Sequence, residues 1–161
     1  MTAATALQRD VALGSPPTGP PAAPAPDDAP IVVGVDGTPS GAVAARAAIA
    51  WARRLSAPLV FVYVRRSPSS ALGEPYYQRR VEAETLAARN ALSAAVAAAD
   101  EAGVSASAEV LDGRPAQRLV DLARLRAARL LVTGRRPQRL RRSVGRTVQR
   151  LAQNPVLVAT A

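Results

Sequence analysis

Cysteine and histidine are both absent from this chain of 161 residues. Disulfides, thiolate nucleophiles, imidazole bases and the usual zinc ligand sets are therefore excluded. Lysine is missing too, since all 21 basic residues are arginine. Aromatic residues make up only 3% against 48% hydrophobic residues, and much of the latter is alanine. Such a core is thin for its length, so added burial at a subunit interface would suit it. No run approaches the uninterrupted apolar length of a membrane helix. The start of the chain lacks the basic segment, apolar core and cleavage-like site of a signal peptide. With most familiar catalytic constellations unavailable, the reading is a cytoplasmic binding protein and not an enzyme.

Charge is the chief thing present in excess. The formal net charge is +9, and after Asp121 ten arginines follow with no acidic residue. The last third of the chain therefore carries a positive field able to attract an anion. Nucleic acid is not the expected anion: no aromatic residue follows Tyr77, so stacking platforms for single strands are lacking there. In a chain biased toward arginine, a solvated charged face is the plain alternative.

Residues 1–29 are rich in alanine and proline and show neither helical nor strand periodicity, as expected of a disordered tail. Residues 30–161 form a single domain of ordinary size. Ile31 to Val35 is a continuous apolar run, the signature of a strand buried on both faces. Asp36-Gly37-Thr38-Pro39-Ser40 breaks it, and Thr38 or Ser40 can cap a helix running to about Leu55. Val43, Ala47, Ala50 and Trp51 are its expected apolar face. Leu59–Val64 is a second buried strand and residues 65–77 a loop. A long helix then runs from about Gln78 to Ala102, stopped by Gly103. Ser105–Leu111 alternates like a strand near the sheet edge, Pro115 opens a helix to about Ala127, and Leu130–Thr133 and Val156–Ala159 are the last strands. Five strands alternating with four helices predict an α/β fold with an open, doubly wound, five-stranded parallel sheet.

In such sheets ligands sit outside the carboxyl ends of the strands, and phosphate is held where a loop enters a helix. Two places satisfy that description. Asp36 stands just past the first strand, where a carboxylate meets a ligand's hydroxyls or bonds its own turn. The stretch RLLVTGRRPQRLRRSVGRTVQRLAQNPVLVATA has a strand, Gly134, an arginine-dense loop, and Ser143-Val144 at the head of the last helix. The hydroxyl and N–H of Ser143 suit a phosphate, an ordinary N-cap, or both. Tyr76 and Tyr77 are candidates to cover the ligand mouth, or simply to pack.

Together with IVVGVDGTPSGAVAARAAIAWARRLSAPLVFVYV and DGRPAQRLVDLA, that stretch resembles the universal stress protein family over roughly residues 30–161. The resemblance implies a Rossmann-like fold and a nucleotide site for ATP or AMP. Val35 and Asp36 would lie at the adenosine end, Val64 would line the base pocket, and Gly134, Arg136, Ser143 and Val144 would hold phosphate. It also implies a homodimer formed through the C-terminal strand.

The loop departs from the family's pattern of glycines. Pro137 replaces the second glycine, the spacer is several residues shorter, and Arg142 replaces the glycine before Ser143. Proline fixes φ and has no N–H to offer, whereas glycine lets backbone donors approach an anion closely. Arg135, Arg136, Arg139, Arg141 and Arg142 offer charged forks instead. The expected function is therefore a stress-response binding protein with a weakened nucleotide site. A working ATP or AMP binder is the alternative, and an anion or nucleic-acid module built on the arginine-rich third is a second one.

Overall fold

Successive side chains of the central strands go to opposite faces of one sheet, and each face carries its own pair of helices. The computed structural model describes residues 11–12, 28–66, 73–135 and 144–160. In chain order the elements are β1 (Val11–Ala12), β2 (Ile31–Gly34), α1 (Pro39–Leu55), β3 (Leu59–Arg65), α2 (Glu74–Glu101), β4 (Ala106–Asp112), α3 (Pro115–Leu125), β5 (Leu130–Gly134), α4 (Val144–Leu151) and β6 (Val156–Ala159).

The sheet order is β1-β4-β3-β2-β5-β6 and every pairing is parallel. Five strands build the expected open sheet, and the two-residue β1 pairs with Ala108 and Glu109 of β4. The other residues expected to form a disordered tail lie outside the described residues, apart from Asp28 and Ala29.

Period-two alternation divides the core. Ile31, Val33, Leu59, Phe61, Tyr63 and Val132 join Ala44, Ala48, Ile49, Ala88 and Leu92 of α1 and α2 on one face. Val32, Val60, Val62 and Leu131 join Leu119, Val120, Leu122 and Val148 of α3 and α4 on the other. Burial on both faces is why these strands read as unbroken apolar runs and not as alternating ones.

Several boundaries differ from expectation. β2 ends at Gly34, and Val35, although outside the strand, remains buried and donates its N–H to the Val62 carbonyl at 2.9 Å. Helix α2 starts at Glu74, so Tyr76 and Tyr77 lie in its first turn and not in a loop. Pro75 belongs to that first turn, where a missing N–H costs no hydrogen bond. The face of α1 also differs. Gly41, Ala44, Ala45, Ala48, Ile49 and Ala52 are buried, while Ala50 and Trp51 are exposed. Alanine surrounds this helix on nearly every side, so apolar spacing alone does not single out one stripe.

Three helices end on a residue of positive φ: Ser56 after α1 (φ 49°), Gly103 after α2 (φ 70°) and Ala127 after α3 (φ 46°). In each case the following N–H bonds back to a carbonyl five residues earlier, Ala57 to Ala52, Val104 to Ala99 and Ala128 to Ala123. This wrapped ending satisfies carbonyls that would otherwise be orphaned.

Candidate functional site

The chain runs from β2 through β3 to β4 on one side of the sheet, then crosses back to β5 and β6 on the other side of β2. The order therefore reverses between β2 and β5, and a crevice opens at the carboxyl ends of strands at such a point. Asp36 and Gly134 stand on its two sides.

Asp36 is exposed, and its Oδ1 accepts from the Thr38 N–H at 3.1 Å and from the Thr38 hydroxyl at 2.5 Å. Thr38 in turn caps α1 by accepting from the Gly41 N–H at 3.3 Å. A Cβ on Gly41 would lie 2.7 Å from Asp36 Oδ1, so a glycine is what lets the carboxylate settle over the first turn. A negative charge there meets the positive end of the helix dipole. Asp36 thus hydrogen-bonds its own turn through Oδ1.

Across the crevice, Gly134 closes β5. A Cβ on it would overlap the Ser40 carbonyl oxygen and lie 2.5 Å from the Ser40 carbonyl carbon. Ser40 also donates its hydroxyl to the Arg135 carbonyl at 3.0 Å. Gly134 therefore has a packing reason to be glycine, independent of any ligand. The start of α1 is pinned directly against the end of β5.

Val64 lies on β3, separated from Gly134 by β2, and is half-buried against the α3–α4 side. Next to it, Arg65 forks onto Asp112 with Nε and Nη2 both at 2.9 Å, and reaches the Thr85 hydroxyl at 3.4 Å through Nη1. The hydrogen bond to Asp112 raises the guanidinium pKa above its already high ordinary value, and partial burial opposes it. Tyr63 donates its hydroxyl to Glu84 at 3.2 Å. These contacts tie α2 to the carboxyl ends of β3 and β4.

Val144 opens α4 and is half-buried against the same cluster as Val64. Arg136 and Ser143 lie outside the described residues, as do Pro137, Arg139, Arg141 and Arg142. Tyr76 is exposed in the first turn of α2. Ser40 is thus brought against Gly134 and Arg135 while Asp36 bonds to Thr38 in the turn before it, and Val64 stands one strand away.

Two residues escape the sequence reading. Ser40 presents itself there only as a possible cap, because its partners Gly134 and Arg135 are more than ninety positions away. Thr133 reads as part of an apolar run, yet it is a buried polar side chain whose hydroxyl has no hydrogen-bond partner among the described residues. Among the described residues no group of three acidic side chains converges to hold a metal ion, and no helix is long and apolar enough to cross a membrane.

A model of the universal stress protein family matches residues 29–160. The chain belongs to this family. Solved structures of universal stress proteins agree with its fold. One from Burkholderia pseudomallei is 29% identical, covering 86% of this chain and all (100%) of its own, with a TM-score of 0.71. A universal stress protein solved in complex with cAMP is 26% identical, covering 81% of this chain and 96% of its own, with a TM-score of 0.65. One from Archaeoglobus fulgidus, in complex with dAMP, is 25% identical, covering 81% and 97% with the same TM-score of 0.65. Comparison with curated protein sequences finds no match.

Proposed function

We propose that this universal stress protein is a stress-response binding protein that works by association and not by catalysis. Its site takes an adenine nucleotide with a weakened hold on the phosphates. The observation that carries the reading is the packing of Ser40, which follows the Asp36–Thr38 turn after β2, against Gly134 and Arg135 at the carboxyl end of β5. Relatives solved with cAMP and with dAMP support an adenine nucleotide as the ligand class. In this reading Val35 and Asp36 serve the adenosine part and Val64 the base. Gly134, Arg136, Ser143 and Val144 serve the phosphates, with Pro137 removing a backbone donor and Arg142 removing the close approach that a glycine allows. ATP and AMP are the two candidates.

Arginine forks compensate in part, because a guanidinium grips phosphate without needing the geometry of a glycine loop. The protein is further proposed to be a cytoplasmic homodimer joined through β6, which lies at the sheet edge with its outer side unpaired among the described residues.

Calorimetric titration with ATP and Mg²⁺, at low and moderate salt, tests the reading. Binding is expected, and it should weaken in Asp36→Asn, which keeps an oxygen for Thr38 but removes the charge. A folded protein that takes up no ATP at millimolar concentration would overturn the nucleotide reading. The search would then move to protein partners.

A further inference from the structure

The two edges of the sheet are treated differently. β6 leaves its outer side unpaired among the described residues, whereas β4 carries β1 on its outer side, in parallel, with Val11 opposite Ala108 and Ala12 opposite Glu109. Which backbone groups of β4 face outward follows from its inner pairing. The Ser105 carbonyl accepts from the Leu59 N–H and the Gly113 N–H donates to the Arg65 carbonyl, both at 2.9 Å, so the odd-numbered residues face β3. Alternation then turns Ala106, Ala108, Val110 and Asp112 outward. With Ala12 opposite Glu109, its N–H meets the Ala108 carbonyl and its carbonyl meets the Val110 N–H.

At the carboxyl end of β4 the Asp112 carbonyl accepts from Arg118 Nε at 2.8 Å. The middle of the edge is thus covered by β1 and its end by a side chain of α3. The charges of β4 do not guard the edge themselves. Glu109 is held by Arg126 and Asp112 by the Arg65 fork, so neither carboxylate stands uncompensated to repel an approaching strand.

The chain supplies one segment suited to the place. Val11 is the only valine, isoleucine or aromatic residue before Ile31, and such residues are the ones that fit a pleated strand. Positions 13–30, between β1 and β2, hold seven prolines, which cannot donate to a ladder. Those 18 residues can reach about 60 Å when extended. β1 and β2 lie three strand spacings apart, roughly 14 Å, so one chain can supply both strands.

We propose that the outer edge of β4 is a docking surface for an extended parallel segment, and that the chain's own Val11–Ala12 occupies it to keep a second chain from pairing there. β6 is then the edge left for another copy. Association stops at a pair and does not run on as an open stack of sheets. This holds with or without a bound nucleotide.

The test uses the full chain, Ala12→Pro, which deletes the N–H given to Ala108, and Ala12→Ser, which keeps it. Amide hydrogen exchange and light scattering at rising protein concentration are the readouts. In Ala12→Pro the Val110 amide should exchange about fivefold faster or more, as for the loss of one net hydrogen bond, while the Glu109 amide, which faces β3, stays slow. The same variant should form larger species than the native chain does, and Ala12→Ser should match the native chain in both readouts. Equal exchange at Val110 in the native chain and Ala12→Pro would overturn the proposal, since the segment would then cover nothing. A faster Val110 with no change in size would overturn it too, because the uncovered edge would be harmless. Species smaller than the native ones would show that the segment docks on another copy, which also overturns a cover supplied within one chain. Faster exchange at Glu109 as well as Val110 would mark a loosened fold in place of an opened edge and overturn it likewise.

Discussion

The carbonyl of Ser40 occupies the space that a side chain on Gly134 would need. Backbone meets backbone here, so neither partner can turn aside as a flexible side chain would. Gly134→Ala is expected to force the start of α1 away from β5. The stability loss should be about 1–3 kcal/mol or more, the range for overpacking a tight site. Chemical denaturation measures it. Ser40→Ala, which removes only the hydroxyl donated to Arg135, should cost about 0.5–1.5 kcal/mol. Equal costs for the two variants would show that the close approach is not what requires the glycine.

Ala127 ends α3 at φ 46° with a Cβ in place. A left-handed conformation costs an ordinary residue roughly 1–2 kcal/mol, and glycine is free of it. Ala127→Gly should therefore leave stability unchanged or raise it by up to ~1 kcal/mol, the extra chain entropy of glycine taking back part of the gain. A clear fall in Tm would show that the methyl group packs usefully.

Arg65 and Asp112 form a two-pronged pair, with side chains 25% and 60% exposed. Solvent screens such a pair, so Asp112→Asn is expected to cost no more than about 1 kcal/mol. The pH dependence follows from the raised guanidinium pKa. A cation whose pKa is higher folded than unfolded contributes fully below its unfolded value and loses that contribution only as pH rises through the folded one. Both lie beyond the ordinary alkaline range. The difference in stability between native protein and variant should thus stay flat from about pH 6 to 10. A difference that vanishes within that window would point to another titrating partner.

At the far edge of the sheet, Leu131 donates to the Pro155 carbonyl and Arg135 to the Ala159 carbonyl, both at 2.9 Å. Alternation along the strand then turns the backbone groups of Val156 and Val158 outward. Unpaired edges of this kind invite a second strand. Val158→Pro deletes an outward N–H without touching the β5–β6 ladder. The variant should be monomeric by light scattering while keeping its circular dichroism spectrum, and a dimer that survives would place the interface elsewhere.

How much of this was legible beforehand depends on how far apart in the chain the responsible atoms lie. The order of strands and helices, the parallel sheet and the crevice at its carboxyl ends follow from local runs of Val, Ile and Leu punctuated by Asp36-Gly37, Gly103 and Asp112-Gly113. Thr38 as a cap is local too, since donor and acceptor are three residues apart. Absence of cysteine and histidine narrows the chemistry from composition alone. What needed the tertiary structure is everything that depends on which face an alanine-rich helix turns inward and which strands become neighbours. The buried side of α1, the contact of Ser40 with Gly134 and the buried hydroxyl of Thr133 are of that kind. A sequence shows where an apolar strand or helix begins and ends, but a close approach between residues ninety positions apart is set only when both faces of the sheet are packed.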